Sequence, residues 1–295
     1  MDSHPAYDVV CIGNYTRDTI VTPSGTTYVD GGAVNYAAHA IVRLGLKPAV
    51  VTHLAREDSR VVDKFLQDGI DCFPVYTLHS TNMRLEYPTH DPDVRTLTVT
   101  EVTDPVTPAE IEPLKMHAAV IGSSLRGEVG LDVIRALREK EVLLAADMQG
   151  FVRVLSDRQL RYEPWDEMSA ALPYLDILKS DAVEAEYLTG ESDIFRAAKV
   201  YADMGAREIV LTHRDGLLVY ADGRYHTLQF HARQMDGRSG RGDTCLGTYV
   251  AMRLSAPAPE AARWAAALTS LKMERRGPFS GTKEEVQDLI RGRYL

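Results

Sequence analysis

Two glycines flank an arginine and precede an aspartate in the segment GRGD at residues 240–243. The apolar stretch 244–254 follows and predicts a helix that begins at this point. Glycines before a helix let backbone N–H groups converge, and the helix dipole adds positive charge, so the segment predicts an anion hole suited to phosphate. Asp243 could accept a hydroxyl proton beside it. The alternative is an N-cap aspartate, with glycines that serve only a tight turn.

A second glycine pair, Gly31 and Gly32, precedes a predicted helix at 33–44, and Asn35 lies one turn inside that helix. Paired glycines permit a ligand to approach the backbone closely, and an amide side chain can both donate and accept. Asn14 and Asp18 follow the first predicted strand, where ligands bind in parallel sheets. A carboxylate there can bind two neighbouring hydroxyls of a polyol. Plain turns and internally satisfied polar residues explain these features equally well.

Polar residues also follow two later predicted strands. Gln149 comes after the strand 142–146, and Lys179 and Asp181 come after the strand 174–178. Asp181 and Glu184 can share one helix face, which suits binding of magnesium through water beside phosphates. The same spacing is typical of an N-cap residue and its capping-box partner, so both interpretations stay open.

Short apolar strands alternate with helical patterns along most of the chain. Strands are predicted at 7–12, 48–54, 118–121, 142–146, 174–178 and 208–212. Repeated strand-then-helix units predict a mostly parallel sheet with helices on both faces. Two polar hairpins, at about 14–30 and 81–102, do not suit the interior of such a sheet and predict a small separate lid. Since no Pro/Gly/Ser linker divides residues 1–295, we predict a single domain.

Composition excludes several classes of protein. The 295 residues are 45% hydrophobic and 25% charged, which is typical of a soluble globular protein. The net charge of −9 argues against a nucleic-acid surface. No apolar run approaches the ~18 residues of a membrane helix, and no signal peptide is visible. We therefore predict a cytoplasmic protein without nucleic-acid or membrane partners, whose three separated cysteines are buried reduced thiols.

Taken in order along the chain, these segments resemble the ribokinase-like (PfkB) family of carbohydrate kinases over essentially the whole length. The resemblance implies a three-layer α/β/α sandwich with a mostly parallel central sheet and a small β lid, through which many members form homodimers. It also implies transfer of the γ-phosphoryl group of ATP to a hydroxyl, with Mg²⁺ as a second cofactor. The segments GNYTRD, DMQGFVR and LKSD most resemble the myo-inositol kinase branch. The predicted acceptor is therefore a sugar or cyclic polyol.

The resemblance also assigns roles to individual positions. Asp243 matches the catalytic base, and the anion hole matches Gly240, Arg241 and Gly242. The acceptor-binding positions of the family match Asp18, Gly31, Gly32 and Asn35, and we predict that Asn14 and Gln149, which follow predicted strands, bind the acceptor beside them. The ATP-binding positions match Asp181 and the nucleotide loop with Thr212, Arg214 and Gly216, and we predict that Lys179, which follows the same strand as Asp181, binds ATP beside them. Glu184 matches a glutamate that holds magnesium through water.

The chain departs from the family pattern at three positions. Arg241 replaces a small residue, so its side chain could clamp a phosphoryl oxygen or crowd the site. Gly237 stands where members usually carry an aspartate, in a segment often linked to a monovalent-cation site. Asp181 replaces an asparagine and adds negative charge beside the donor phosphates.

Two other functions fit the same residues. A member with these departures could bind its ligand but phosphorylate it poorly, as a sensor or scaffold. Alternatively, the acceptor could be a nucleoside or furanose sugar, for which an aromatic platform should line the lid. The candidates for that platform are Tyr15, Tyr28 and Tyr87, although single tyrosines more often pack in the core.

Overall fold

The computed structural model describes residues 6–89, 96–237 and 239–294 of the chain. Its strands, in chain order, are β1 (Tyr7–Ile12), β2 (Thr16–Thr22), β3 (Gly25–Gly31), β4 (Pro48–Ala55), β5 (Asp71–Thr77), β6 (Thr81–Glu86), β7 (Thr96–Glu101), β8 (Met116–Ile121), β9 (Leu143–Asp147), β10 (Arg153–Ser156), β11 (Gln159–Tyr162), β12 (Ile177–Asp181), β13 (Glu208–Thr212), β14 (Gly216–Ala221) and β15 (Arg224–Gln229).

The helices, in chain order, are α1 (Ala33–Arg43), α2 (Arg60–Gln67), α3 (Pro108–Ile111), α4 (Leu131–Glu139), α5 (Gln149–Val152), α6 (Met168–Ala171), α7 (Ala182–Thr189), α8 (Ile194–Asp203), α9 (Arg241–Arg253), α10 (Ala258–Met273) and α11 (Lys283–Arg293). Two short 3₁₀ turns lie at Arg56–Asp58 and Leu172–Tyr174. Across the three described ranges, no helix has the length and apolar character that crossing a bilayer demands.

The larger sheet has the strand order β15-β14-β13-β12-β9-β8-β1-β4-β5. Its neighbours from β5 to β13 pair in parallel, and only β14 and β15 are antiparallel. The central strands are continuous apolar runs because both faces are covered by helices. In β4, for example, all eight residues are buried. The predicted mostly parallel sheet is confirmed.

Two hydrophobic cores lie on opposite faces of this sheet. On one face, α1, α2, α9, α10 and α11 pack against the strands through residues such as Val34, Phe65 and Leu268. On the other face, α3, α4, α6, α7 and α8 pack through residues such as Ile134 and Ala198. The three-layer α/β/α sandwich of the ribokinase-like fold is thereby confirmed.

A second sheet of six strands has the order β10-β11-β7-β6-β2-β3. It contains both predicted hairpins, as β2–β3 and as β6–β7, although residues 90–95 of the second hairpin lie outside the described residues. The sheet also contains a third hairpin, β10–β11, which the sequence pattern did not predict. Asp157 and Arg158 in its turn both have positive φ. Such turns favour Asn, Asp and Gly, and of these two residues only Asp157 is one of those types, so the sequence signal for the turn is weak.

Candidate active site

The GRGD segment forms the start of α9 rather than a loop before it. The helix begins at Arg241, earlier than predicted, and the Thr244 N–H donates to the Gly240 carbonyl over 2.9 Å. Gly240 is the N-cap residue, so the interpretation of Asp243 as N-cap is wrong. The first-turn N–H groups, at Arg241, Gly242 and Asp243, have no acceptor one turn back within the helix, and the helix dipole makes this end an anion-binding point.

Both glycines of this segment lie in close contact with a neighbouring side chain. Gly240 has φ of +73°, and a Cβ there would lie 2.1 Å from the ring of Tyr36. A Cβ on Gly242 would lie 2.4 Å from the Lys179 Nζ. The helix end therefore lies close to the lysine ammonium, and a side chain at residue 242 would displace the flexible end of Lys179. The Arg241 guanidinium lies 5.9 Å from the centre of the Phe230 ring.

A cleft of about 1050 Å³ separates this helix end from the second sheet. Ten of the predicted site residues line it: Asp18, Gly32, Gln149, Lys179, Asp181, Thr212, Gly240, Arg241, Gly242 and Asp243. They come from six separate stretches of the chain, and the parallel strands β9, β12 and β13 bring Gln149, Lys179, Asp181 and Thr212 together at their carboxyl ends.

Two predicted acceptor-binding residues are buried elsewhere and have structural partners. The Asn14 side chain donates to the Asp104 carbonyl over 3.1 Å and accepts the His53 N–H at 3.3 Å. The Asn35 side chain donates to the Asp30 carbonyl over 2.9 Å, which ties the start of α1 to β3. These contacts match the satisfied polar residues that the sequence analysis left as the alternative.

Three further predicted residues also lie outside the cleft lining. A Cβ on Gly31 would lie 2.3 Å from the Thr16 Oγ1, so this glycine permits close packing of β2 against β3. A Cβ on Gly216 would lie 2.1 Å from the Leu228 carbonyl oxygen, which explains the glycine by strand packing. Arg214 is exposed in the turn between β13 and β14.

Asp181 and Glu184 form a complete capping box at the start of α7. The Glu184 N–H donates to Asp181, and the Asp181 N–H donates to Glu184 over 2.9 Å. Glu184 is fully buried, 3.6 Å from Arg153, and burial raises the pKa of its carboxyl group to about 7. Within the described ranges, no three acidic, histidine or cysteine side chains cluster as metal ligands.

A buried ion pair between Lys179 and Asp147 lies beside the first turn of α9. The Lys179 ammonium donates to Asp147 over 2.7 Å, and both side chains are nearly inaccessible. Burial raises the pKa of Asp243 to about 6, and the Asp147 charge adds to the rise, while Lys179 and Arg153 oppose it. Asp243 is therefore ionised at neutral pH but only weakly acidic, as suits a group that accepts a proton.

Asp18 projects from β2 on the other side of the cleft. Its Oδ1 is buried and, among the described residues, has no hydrogen-bond partner. Burial is the main cause that raises its pKa to about 6. Apolar side chains of the second sheet, including Ile20, Val29 and Leu85, line the same part of the cleft. A carboxylate with an unused oxygen beside an apolar wall suits a ring that carries several hydroxyls.

Basic residues that the sequence analysis did not assign also line the cleft. Lys272 and Arg276 reach it from the end of α10 and the segment after it. Nothing in the local sequence pattern of this alanine-rich helix end points to a ligand. Only the packing of α10 beside α9 brings these cations to the cleft.

Comparison with known proteins agrees with this geometry. A solved pyrophosphate-dependent kinase of the ribokinase family, in a sulfate complex, is 32% identical, with a TM-score of 0.88 over 95% of this chain and 99% of its own. Another structure of such a kinase, complexed with a pyrophosphate analogue and myo-inositol, is 30% identical, with a TM-score of 0.88 over the same shares. A cytidine kinase of Thermococcus kodakarensis is 24% identical over 254 residues, which are 83% of this chain and 87% of its own.

The sequence model of pfkB family carbohydrate kinases matches residues 5–285. The family resemblance and the fold predicted from the sequence are both confirmed by these matches. The chain belongs to the pfkB family of carbohydrate kinases, which are phosphotransferases that act on hydroxyl groups.

Proposed function

We propose that the chain transfers a phosphoryl group from inorganic pyrophosphate to a hydroxyl of a cyclic polyol of the myo-inositol type. The observation that carries the donor is the basic lining of the cleft beside Asp243. In the described part of the cleft, the basic side chains are Arg153, Lys179, Arg241, Lys272 and Arg276. The two solved kinases described above, 32% and 30% identical to this chain, are named as pyrophosphate-dependent kinases, which supports the same donor.

Charge explains why pyrophosphate suits this cleft. A donor without a nucleoside must draw its binding energy from its phosphates, and arginine forks match phosphate oxygens closely. Arg241 stands at the first turn of α9, where N–H groups and the helix dipole also attract anions. ATP, which the family resemblance implied, remains the alternative donor. Of the two predicted nucleotide-loop residues after Thr212, neither Arg214 nor Gly216 lines the cleft.

The acceptor is proposed to bind between Asp18 and Gln149. The free Asp18 oxygen can accept hydrogen bonds from ring hydroxyls, and Gln149 lines the opposite side of the cleft. Met83, Leu85 and Leu97 of the second sheet supply an apolar surface for the C–H face of the ring. We propose that this sheet acts as the predicted lid and excludes water, which limits hydrolysis of the donor.

The chemistry follows from the position of Asp243. The acceptor oxygen forms a new bond to the transferred phosphorus while the bridging P–O bond of pyrophosphate breaks and orthophosphate leaves. Asp243 takes the hydroxyl proton, and the first-turn N–H groups with Arg241 hold the phosphoryl oxygens. Phosphoryl transfer is loose, so positioning and charge stabilisation contribute more than the strength of the base.

Magnesium fits this site as an ion held mainly by the donor. Asp181 lines the cleft, and Glu184 lies behind it with its Oε1 atom 3.6 Å from Arg153 and without a hydrogen bond among the described residues. Such a site suits Mg²⁺, which keeps several waters and is usually bound by one or two carboxylates together with phosphates. The ion would neutralise part of the phosphate charge, and Asp181 would orient its waters.

The donor and acceptor can be tested together by ³¹P NMR. Purified protein is incubated with Mg²⁺, either pyrophosphate or ATP, and myo-inositol, ribose or cytidine. We expect a phosphorylated polyol with pyrophosphate and myo-inositol. Turnover with ATP but not with pyrophosphate would reject the proposed donor, and turnover with cytidine alone would reject the proposed acceptor.

Two arginines provide a matched pair for the donor assignment. Arg241→Ala should raise the KM for pyrophosphate by about 10–100-fold, because it removes charge-assisted hydrogen bonds. Arg214→Ala should leave that KM unchanged, since Arg214 is exposed outside the cleft. If Arg214→Ala impairs the enzyme and Arg241→Ala does not, the donor is bound at the nucleotide loop instead.

A nucleoside acceptor is the second candidate function, because the cytidine kinase relative spans most of this chain. Of the three proposed platform tyrosines, only Tyr87 lines the cleft, while the Tyr15 hydroxyl donates to Asp30 and Tyr28 is 76% exposed. A ligand-binding member without turnover would show thermal stabilisation by polyol in the absence of any product. We also propose a cytoplasmic location. We further propose a homodimer that forms through the second sheet, and light scattering would test this oligomeric state.

A further inference from the structure

Lys272 is a lysine that is almost completely buried in the protein interior. It lies near the end of α10 and is 1% exposed. Lysine is rarely buried to this extent without a partner that compensates its charge. Lys272 has no carboxylate partner in an ion pair within the described ranges, so other groups must compensate its buried charge.

The Lys272 ammonium is instead bound by backbone carbonyls. It donates to the Gly237 carbonyl over 2.7 Å and to the Ser239 carbonyl. It also lies over the Tyr36 ring, 5.1 Å from the centroid. Two carbonyl oxygens and one aromatic face account for the three protons of an ammonium group.

The carbonyls belong to the segment that leads directly into α9. The Gly237 N–H donates to the Met273 carbonyl over 2.9 Å, and a Cβ on Gly237 would lie 1.8 Å from the Arg275 carbonyl oxygen. Gly240, at the other end, packs against the same Tyr36 ring. The segment is thus pressed between the end of α10 and α1, and Lys272 is the charged group at its centre.

We infer that Lys272 is a positioning residue, which holds the Gly237 and Ser239 carbonyls and thereby aims the first-turn N–H groups of α9 at the transferred phosphoryl group. The inference rests on the proposed kinase function. Carbonyl oxygens that converge on one buried point can hold either an alkali-metal ion or an ammonium group. Because the chain supplies the ammonium itself, turnover should not depend on added potassium.

The charge of Lys272 depends on the groups around it. Asp243 of α9 is the carboxylate that favours its charged form, and Tyr36 of α1 is the titratable side chain that it covers. Arg241 and Arg276 line the same cleft, as does the exposed Asp236. Burial outweighs Asp243 and lowers the pKa of Lys272 to about 8.

The sign of the pH dependence separates function from stability. Below pH 8 the ammonium is charged and holds the carbonyls, and above pH 8 this interaction weakens. Because the folded pKa lies below that of an unfolded lysine, the contribution of this group to stability rises between pH 8 and 10.5. A loss of turnover above pH 8 that comes from Lys272 is therefore not a loss of folded protein.

The test compares Lys272→Met with Lys283→Met. Lys283 is an exposed lysine of α11 that also lies over an aromatic ring, 5.9 Å from the Trp264 centroid. We expect Lys272→Met to lower kcat by about 100-fold with little change in the acceptor KM, because misaligned donors cost about 10²–10³ in rate. Lys283→Met should match the wild type. The wild-type to Lys272→Met ratio of kcat should fall as the pH rises above 8.

Cation rescue is a result that a purely packing role would not produce. Ammonium, methylammonium or potassium chloride should restore part of the Lys272→Met turnover and leave the wild type unchanged. Sodium chloride at the same ionic strength controls for general salt effects. An unchanged kcat in Lys272→Met would overturn the inference. A lowered kcat would also overturn it if no cation restored turnover and the ratio of wild-type to variant kcat stayed constant above pH 8.

Hydrogen exchange separates this inference from the kinase function. The amides of residues 239–243 should lose protection in Lys272→Met, while those in the middle of α9 keep it. This result is expected even if no donor and acceptor pair gives turnover, in which case only the proposed function fails. Should Lys272→Met not fold, the wild type measured from pH 7 to 10 tests the same point, and unchanged protection there would refute the inference.

Discussion

Replacement of Asp243 by asparagine isolates the proton-accepting role from every other feature of the cleft. The variant keeps the shape of the side chain and the first turn of α9, but an amide cannot take the acceptor proton. The carboxylate is desolvated, and its pKa is raised to about 6. Removing a desolvated charge should not lower the free energy of unfolding, so a loss of turnover cannot be attributed to misfolding.

The expected magnitudes come from the same carboxylate. Loss of a general base costs about 10²–10⁴ in rate, so Asp243→Asn should lower kcat by this factor. In the wild type, a base with a pKa of about 6 is mostly ionised at pH 7 and mostly protonated at pH 5. Wild-type turnover should therefore fall by about tenfold between these two pH values, and the residual turnover of the variant should not.

The assay follows product by ³¹P NMR from pH 5 to 8, with pyrophosphate and myo-inositol at saturation. Asp236→Asn is the matched control, because Asp236 is an exposed aspartate that lines the same cleft. It should keep the wild-type pH profile and a turnover within about threefold, as expected for a surface charge. If Asp243→Asn retains such turnover, or shows the wild-type acid limb, Asp243 is not the base.

Three other substitutions test separate parts of the site. Asp18→Asn should raise the acceptor KM by about 10-fold or more and leave the pyrophosphate KM unchanged, because the ring hydroxyls lose a charged hydrogen-bond acceptor; initial rates at varied acceptor and donor concentrations measure both values. Gly240→Ala should destabilise the protein by about 1–3 kcal/mol in urea unfolding, because it strains a left-handed residue against Tyr36; unchanged stability would contradict the described turn. Lys179→Met should cost about 3–5 kcal/mol by leaving Asp147 buried without its partner, and Lys179→Met/Asp147→Leu should recover part of the loss.

The sequence predicted the architecture well because periodicity reports burial directly. The apolar runs of β1 and β4 are buried on both faces, and their pattern identified a parallel sheet before any contact was known. The hairpin β10–β11 was missed, since its strands have only four residues each and are half-exposed. Short strands of mixed polarity carry no period that distinguishes them from a loop.

Candidate site residues were predicted where a local motif has one physical explanation. GRGD predicted a phosphate-binding helix start, and the structure places all four residues in the cleft lining. Asn14 was assigned from its position after the first strand and Asn35 by family match, but the structure gives both side chains backbone partners. A polar residue after a strand can face the cleft or close a turn, and its rotamer is set by neighbours distant in sequence.

The sequence alone determined the family, the three-layer fold and the candidate base Asp243 near the start of a late helix. These depend on local pattern and on the order of motifs along the chain. The tertiary structure alone decided which charges meet. Lys179 pairs with Asp147, and Lys272 binds the carbonyls of Gly237 and Ser239, because β12 lies beside β9 and α10 lies beside α9. Charge and desolvation act through space, so the pKa of Asp243 and the basic lining of the cleft could emerge only once these elements had packed.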